Sequence, residues 1–134
     1  MTLGHSAGGH LALWLAAERG AALAVSQAGV VDLAEAWRLG LSRRATEELL
    51  GGTPAEFPDR YSAASPAARL PLAVPQLLVH GRRDDTVPAE MSRAYAEQAC
   101  QAGDDVELVE TDEGHFECLD PASESWAAIV ERLP

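Results

Sequence analysis

The pentapeptide Gly4-His5-Ser6-Ala7-Gly8 sets the expectations for the whole chain, because it has the Gly-x-Ser-x-Gly pattern of a nucleophile elbow. In such an elbow a tight turn between a strand and a helix exposes one serine hydroxyl, here that of Ser6. Glycines are expected on both sides because the neighbouring chain passes too close for a Cβ atom. Gly9 extends the run of small residues, which lets the helix pack tightly against the sheet.

Downstream of the elbow the sequence predicts alternating helices and strands. An apolar helix is expected over residues 11–19 and ends at Gly20, whereas residues 1–3 supply little of the strand that should precede the elbow. Strands are predicted at residues 22–27, 76–80 and 106–110. Further helices are predicted at residues 33–39, 46–50, 89–102 and 120–133. Residues 53–75 contain five prolines and are predicted mainly as ordered loop. This order predicts an α/β fold with a mainly parallel sheet flanked by helices.

Composition restricts the class of partner. The 134 residues suffice for one domain, and 47% hydrophobic residues can form a real core. A net charge of −11 argues against nucleic acid and anionic membranes, and no apolar run approaches the roughly 20 residues of a membrane span. Cys100 and Cys118 are expected to be reduced thiols and lack metal-ligand spacing, so no metal and no cofactor are predicted. The lack of a secretory signal favours the cytoplasm, and the oligomeric state stays open.

Three residues with catalytic chemistry each follow a predicted strand: Ser6, Asp84 and His115. The carboxyl ends of parallel strands meet at one edge of a sheet, so these side chains are expected to lie together. Their order along the chain, Ser then Asp then His, is that of a hydrolase triad. Ser6 would attack a carbonyl carbon, His115 would take the serine proton, and Asp84 would orient the imidazole.

Other interpretations of these residues remain open. Taken alone, His115 is a turn histidine and Asp84 a cap for the helix that begins near Pro88. Asp85 is the nearest rival acid, and Glu117 is a rival by its proximity to His115. The remaining histidines are predicted to be structural: His5, His10 and His80. Three aromatic residues between the second and third strands are candidates to line a substrate pocket: Trp37, Phe57 and Tyr61.

Three motifs resemble the α/β-hydrolase superfamily: GHSAGGHLA at residues 4–12, HGRRDDTVP at residues 80–88, and GHFE at residues 114–117 followed by Asp120-Pro121. The chain is similar to the esterase branch that borders the prolyl-oligopeptidase-like and kynurenine-formamidase-like enzymes. The resemblance implies that the acid is Asp84 and not Asp85, and that the base is His115. It also implies that Ala7 lends its backbone N–H to the oxyanion hole.

The resemblance implies a serine hydrolase that cleaves small carboxylic esters or aryl amides through an acyl-enzyme, without a cofactor. Peptide bonds are the alternative substrate class. Members of the superfamily also carry an N-terminal half with a His-Gly-Gly type loop that supplies a second oxyanion donor, and this sequence contains no such half. Residues 1–134 are therefore expected to be a single catalytic-domain fragment that runs from the elbow to the C-terminal helix. The alternative from another class is a non-catalytic remnant of such an enzyme.

Overall fold

A computed structural model describes residues 1–134, and a four-stranded parallel sheet lies at its centre. The strands are β1 (Thr2–His5), β2 (Ala24–Gln27), β3 (Gln76–Gly81) and β4 (Val106–Thr111). They lie in the order β1-β2-β3-β4, and each pairs in parallel with the next. All four carboxyl ends therefore reach the same edge, and the expected α/β class is confirmed.

Six α-helices connect and cover the strands. They are α1 (Ala7–Arg19), α2 (Leu33–Arg38), α3 (Ala45–Leu50), α4 (Pro58–Ala64), α5 (Ala89–Gln101) and α6 (Glu124–Val130). Short 3₁₀ turns lie at Leu41–Arg43, Pro66–Arg69 and Glu117–Leu119. None of the helices combines the length and the apolar character needed to cross a membrane.

The two central strands, β2 and β3, are buried on both faces of the sheet, to which their successive side chains point in turn. On one face, Ala24 and Leu78 belong to a core that α1 and α5 cover. The helix residues of that core include Leu13, Ala16, Met91, Tyr95 and Ala99. On the other face, a smaller cluster consists of Val25, Leu77, Val79 and Ile129 of α6. This two-sided covering explains why β3 reads as a continuous apolar run rather than an alternating one.

Two segments differ from the sequence-based expectation. Residues 53–75 include one short helix that the sequence did not predict, because Pro58 starts α4 and proline is well tolerated in a first helical turn. The final helix starts at Glu124 rather than at residue 120. The hydroxyl of Ser123 caps it by accepting from the Trp126 N–H at 3.1 Å, whereas Asp120 closes a local turn onto the Ala122 N–H at 2.8 Å.

Candidate active site

Ser6 occupies a sharp turn between β1 and α1. Its φ of 56° lies in the left-handed region, which costs a non-glycine residue on the order of 1–3 kcal/mol. Backbone hydrogen bonds hold this conformation: the Ser6 N–H donates to the Gln27 carbonyl at 2.9 Å, and the Ser6 carbonyl accepts from Gly9 at 2.9 Å. The turn leaves the Ser6 side chain at the carboxyl edge of the sheet, as an elbow requires.

The glycines around Ser6 have different roles. A Cβ on Gly4 would lie 2.0 Å from the carbonyl oxygen of Gly8, and a Cβ on Gly9 would lie 2.8 Å from the Cα of Gly29. Gly4 and Gly9 are therefore required by close backbone approach. A Cβ on Gly8 would meet nothing within 4 Å, so the expectation that Gly8 is needed for the same reason is wrong.

His115 lies between Ser6 and Asp84. Its Nε2 is 3.0 Å from Ser6 Oγ, and its Nδ1 is 2.7 Å from Asp84 Oδ2. An ionised carboxylate only accepts hydrogen bonds, so the ring carries its proton on Nδ1 and leaves the Nε2 lone pair for the serine hydroxyl. The structure thus brings together the three residues that the sequence singled out.

Asp84 is an acid with all of its acceptor sites occupied by donors. Besides His115, its carboxylate accepts from the Thr86 N–H at 2.9 Å and the Val87 N–H at 2.8 Å. Burial raises the pKa of Asp84, but hydrogen bonds from His115 and from the Val87 and Thr86 backbone outweigh burial and lower it. The side chain is therefore ionised at neutral pH although none of it is exposed to solvent.

The two rival acids have other partners and do not contact His115. Asp85 is exposed and accepts from the Thr86 hydroxyl at 3.2 Å. Glu117 is also exposed and forms an ion pair with Arg83 at 3.2 Å. Neither carboxylate contacts the imidazole, so of the three candidate acids Asp84 alone is hydrogen-bonded to His115.

The loops that carry Asp84 and His115 are fastened to each other. A Cβ on Gly81 would lie 2.1 Å from the carbonyl oxygen of Glu113, so only glycine allows the two loops to approach this closely. The Arg83 N–H donates to that carbonyl at 3.0 Å, and the Arg83 guanidinium donates to the Asp112 carbonyl at 2.6 Å. These contacts fix the distance between acid and base.

The backbone of His115 is held from two sides. Its carbonyl oxygen accepts from His5 Nε2 at 2.7 Å and from the buried Cys118 thiol at 2.9 Å. Burial, followed by the charge of Glu113, raises the pKa of Cys118 to about 11, so the thiol keeps its proton. Sequence reasoning assigned no role at the site to either residue, because no pattern links the variable position of an elbow to a cysteine far along the chain.

His80 is the second imidazole at the acid. Its Nε2 lies 3.1 Å from Asp84 Oδ2 and 2.9 Å from the Val87 carbonyl oxygen, and its Nδ1 lies 2.7 Å from Ser92 Oγ. The sequence alone predicts a structural role for His80. Its position four residues before Asp84 could have indicated this contact, because a residue at the end of β3 lies next to the loop that follows.

The backbone N–H of Ala7 is the first of α1, where an N–H has no partner within the helix. The positive end of the helix dipole lies at the same place and favours negative charge there. An oxyanion beside Ser6 would therefore meet one donor and one favourable dipole.

A cavity of about 140 Å³ opens beside the serine. Its apolar wall consists of Ala7, Val30, Ala36, Leu41, Ala45 and Leu49. The polar residues Ser6, His10, Ser42 and Thr46 complete the lining. The cavity joins the nucleophile to the segment between β2 and β3.

The three aromatic residues expected to line a substrate pocket are not in this wall. The Trp37 indole donates to Glu47 at 2.7 Å, and the Tyr61 hydroxyl donates to the Gly52 carbonyl at 2.9 Å. The Arg60 guanidinium stacks on the Phe57 ring at 4.0 Å. Each ring therefore makes a contact within the segment between β2 and β3. Smaller aliphatic residues line the cavity next to Ser6.

Buried histidines make the fold sensitive to acid. Burial lowers the pKa of His10 and of His80 from 6.5, in each case against a hydrogen bond to a backbone carbonyl that raises it. Just below pH 6.5 the unfolded chain therefore binds more protons than the folded chain, so the free energy of unfolding falls as the pH falls. We expect a lower urea midpoint at about pH 5.5 than at about pH 7.5. His10→Gln should reduce this difference, since its amide can still donate to the Ala64 carbonyl that His10 contacts at 2.7 Å. An unchanged difference would contradict the role of His10.

Comparison with known proteins places the chain in a family. The profile of the prolyl oligopeptidase family matches residues 1–129. Among solved structures, acylaminoacyl peptidase from Pyrococcus horikoshii is 20% identical, with a TM-score of 0.74 over 87% of this chain and 20% of that protein. A truncated carbohydrate esterase from gut microbiota is 20% identical, with a TM-score of 0.78 over 96% of this chain and 56% of that one. Puromycin hydrolase is 30% identical, with a TM-score of 0.67 over 84% of this chain and 18% of that one. No curated protein sequence matches.

These structural similarities show an α/β-hydrolase fold. The chain spans about a fifth of the length of the peptidase and just over half of the esterase. The family match covers nearly the whole sequence and includes all three motifs around Ser6, Asp84 and His115. The chain belongs to the prolyl oligopeptidase family.

Proposed function

We propose that the chain carries the nucleophile, base and acid of a serine hydrolase that cleaves carboxylic esters or aryl amides. The observation that carries this proposal is the continuous set of contacts from Ser6 Oγ to His115 Nε2 at 3.0 Å and from His115 Nδ1 to Asp84 Oδ2 at 2.7 Å. Both distances are those of hydrogen bonds, and the order of the groups is that needed to activate a serine.

In the first half of the reaction Ser6 Oγ attacks the substrate carbonyl carbon while its proton passes to His115 Nε2. The imidazolium that forms is stabilised by the buried Asp84 carboxylate through the Nδ1–H. The Ala7 N–H donates to the developing oxyanion at the N-terminus of α1. Collapse of the tetrahedral species breaks the bond to the alcohol or amine, which takes the proton from His115, and Ser6 is left acylated.

In the second half a water molecule attacks the acyl group. His115 takes the proton of that water as its oxygen bonds to the carbonyl carbon, and then returns a proton to Ser6 Oγ as the acid product leaves. The same imidazole therefore serves as base and acid in both halves. To act in both halves, the ring must stay between Ser6 and Asp84. The hydrogen bonds to the His115 carbonyl help to hold it there.

The cavity beside Ser6 suggests the substrate class. A volume of about 140 Å³ with a mainly aliphatic wall suits a short acyl group or a small apolar side chain. Its lining contains no carboxylate, lysine or arginine, and burial lowers the pKa of its one imidazole, that of His10, so the cavity offers no charged side chain to a substrate at neutral pH. We therefore expect short-chain esters to react faster than long-chain or charged ones.

Peptide bonds are the second candidate substrate. The observation that favours them is the match to the prolyl oligopeptidase family, together with the similarity to an acylaminoacyl peptidase. The chemistry at Ser6 would be the same, and the leaving group would be an amine. A panel that compares p-nitrophenyl acetate and hexanoate with acylated amino-acid anilides separates the two substrate classes.

The test is covalent labelling of the purified chain by a fluorophosphonate, detected by intact mass. We expect one adduct on the wild type and none on Ser6→Ala. The exposed Ser62 on α4 provides the matched control, so Ser62→Ala should label like the wild type. A folded wild type that does not label would contradict the proposal and favour the non-catalytic alternative.

A further inference from the structure

We infer that His80 and Ser92 are positioning residues that orient the Asp84 carboxylate and limit how strongly it binds the imidazole of His115. The inference rests on the proposed function, in which Asp84 and His115 act as acid and base. It concerns a set of buried side chains behind the acid, on the side opposite the nucleophile, that the proposed mechanism does not use.

The Asp84 carboxylate has four N–H neighbours and no contact with solvent. Oδ1 accepts from the backbone of Thr86 and Val87 at 2.9 and 2.8 Å. Oδ2 accepts from His115 Nδ1 at 2.7 Å and faces His80 Nε2 at 3.1 Å. The two imidazoles therefore share a single oxygen atom of the acid.

The neighbours of His80 fix its protonation. Both partners of Nε2, the Asp84 carboxylate and the Val87 carbonyl, are acceptors only, so Nε2 must carry the proton. Nδ1 then has a free lone pair, and the buried Ser92 hydroxyl donates to it at 2.7 Å. Burial lowers the pKa of His80, which agrees with a neutral ring that donates from one nitrogen and accepts at the other.

Few charged groups face this ring. Asp84 and His115 lie on the loops at the carboxyl edge of the sheet, and Glu110 is the residue of β4 paired with His80. The Glu110 carboxylate is bound by Arg93 at 2.6 Å. The helix packed on this side, α5, contributes the neutral Ser92. Asp84 is therefore the main charged neighbour of the His80 ring.

A second donor on Oδ2 has a consequence for the base. A hydrogen bond from His80 withdraws charge from the oxygen that must stabilise the imidazolium of His115. Without this donor the Asp84 carboxylate would keep more of its charge for the imidazolium of His115. It would also lose one of the contacts that fix the plane of the carboxylate.

The test compares two substitutions of similar size at position 80 and two on α5. His80→Leu removes both ring nitrogens, whereas His80→Gln keeps an amide N–H that reaches toward Asp84. Ser92→Ala removes the hydroxyl that orients the ring. Tyr95→Phe is the matched control, because the Tyr95 hydroxyl donates from the same helix to another β3 side chain, Gln76, at 2.7 Å.

We expect the acid limb of the profile of kcat/KM against pH to move upward by about half to one pH unit in His80→Leu, with a smaller shift of the same sign in Ser92→Ala. Well below the acid limb this corresponds to a loss of about three- to tenfold in kcat/KM, which fades above the limb, with KM little changed. His80→Gln should remain near the wild type, and Tyr95→Phe should not shift. Equal profiles for His80→Leu and Tyr95→Phe, or a His80→Gln profile as displaced as that of His80→Leu, would overturn the inference.

A second readout does not need turnover. The Nδ1 proton of His115 should resonate further downfield in Ser92→Ala and in His80→Leu than in the wild type, because its bond to Asp84 strengthens. If the wild type fails to label with a fluorophosphonate while this resonance moves, the proposed function fails and the positioning role stands. If labelling succeeds and the resonance stays in place, only the positioning role fails. Should His80→Leu not fold, Ser92→Ala carries both measurements.

Discussion

Asp84→Asn is expected to lower turnover about 10⁴-fold, by analogy with the same change in serine hydrolase triads. The reason lies in the four N–H groups that surround the carboxylate. An amide nitrogen in place of Oδ2 would face the donor on His115 Nδ1. The ring relieves this conflict by moving its proton to Nε2, which is the atom that faces Ser6 Oγ at 3.0 Å. The base then has no lone pair for the serine proton.

The neighbouring Asp85→Asn is the matched control for this prediction. Asp85 is exposed and has no contact with the imidazole, so its substitution should leave kcat/KM within about twofold. Both variants should unfold cooperatively in urea, which separates a loss of chemistry from a loss of fold. Equal losses in the two variants would mean that the acid had been assigned to the wrong residue.

Gly4→Ala is expected to destabilise the chain by about 3 kcal/mol or more, which is a large part of the stability of a small domain. The added methyl would lie 2.0 Å from the Gly8 carbonyl oxygen, a backbone atom that cannot rotate away. Relief requires β1 to separate from α1 and would displace Ser6. Urea unfolding followed by circular dichroism measures the effect.

Gly8→Ala supplies the control from the same motif. Its methyl would enter open space, and alanine is a better helix former than glycine by up to about 1 kcal/mol. We expect the same or slightly greater stability than the wild type. If Gly8→Ala were as damaging as Gly4→Ala, the close approach at Gly4 would not be the cause of either loss.

The sequence predicted most of the sheet because its strands are short apolar runs with clear ends. Residues 76–80 are bounded by Pro75 and Gly81, and the observed strand is Gln76–Gly81. The sequence did not predict α4. Five prolines between residues 53 and 75 favour loop, yet one of them, Pro58, starts this helix of seven residues. A short helix after proline leaves too little periodicity to be recognised.

The candidate site also has features that the sequence predicted and features that it did not. The positions of Ser6, Asp84 and His115 follow from strand ends, so topology alone brings them to one edge. The contacts of His5, His80 and Cys118 depend on how side chains pack around loops, and no spacing in the sequence reports that packing. The positions of Trp37 and Tyr61 outside the cavity wall were not predictable for a related reason, because each satisfies its polar atom within the segment between β2 and β3.

The alkylation rate of Cys118, whose thiol donates to the His115 carbonyl, reports how often the loop that carries His115 opens. Cys118 is buried, and its thiol, with a pKa of about 11, is protonated at neutral pH, so an alkylating reagent reaches it only when this loop opens. Cys100 is exposed and reports the reaction of an accessible thiol in the same sample. The ratio of the two alkylation rates therefore measures how often the loop leaves its closed position, and a covalent adduct on Ser6 that holds the loop in place would slow the first rate without changing the second.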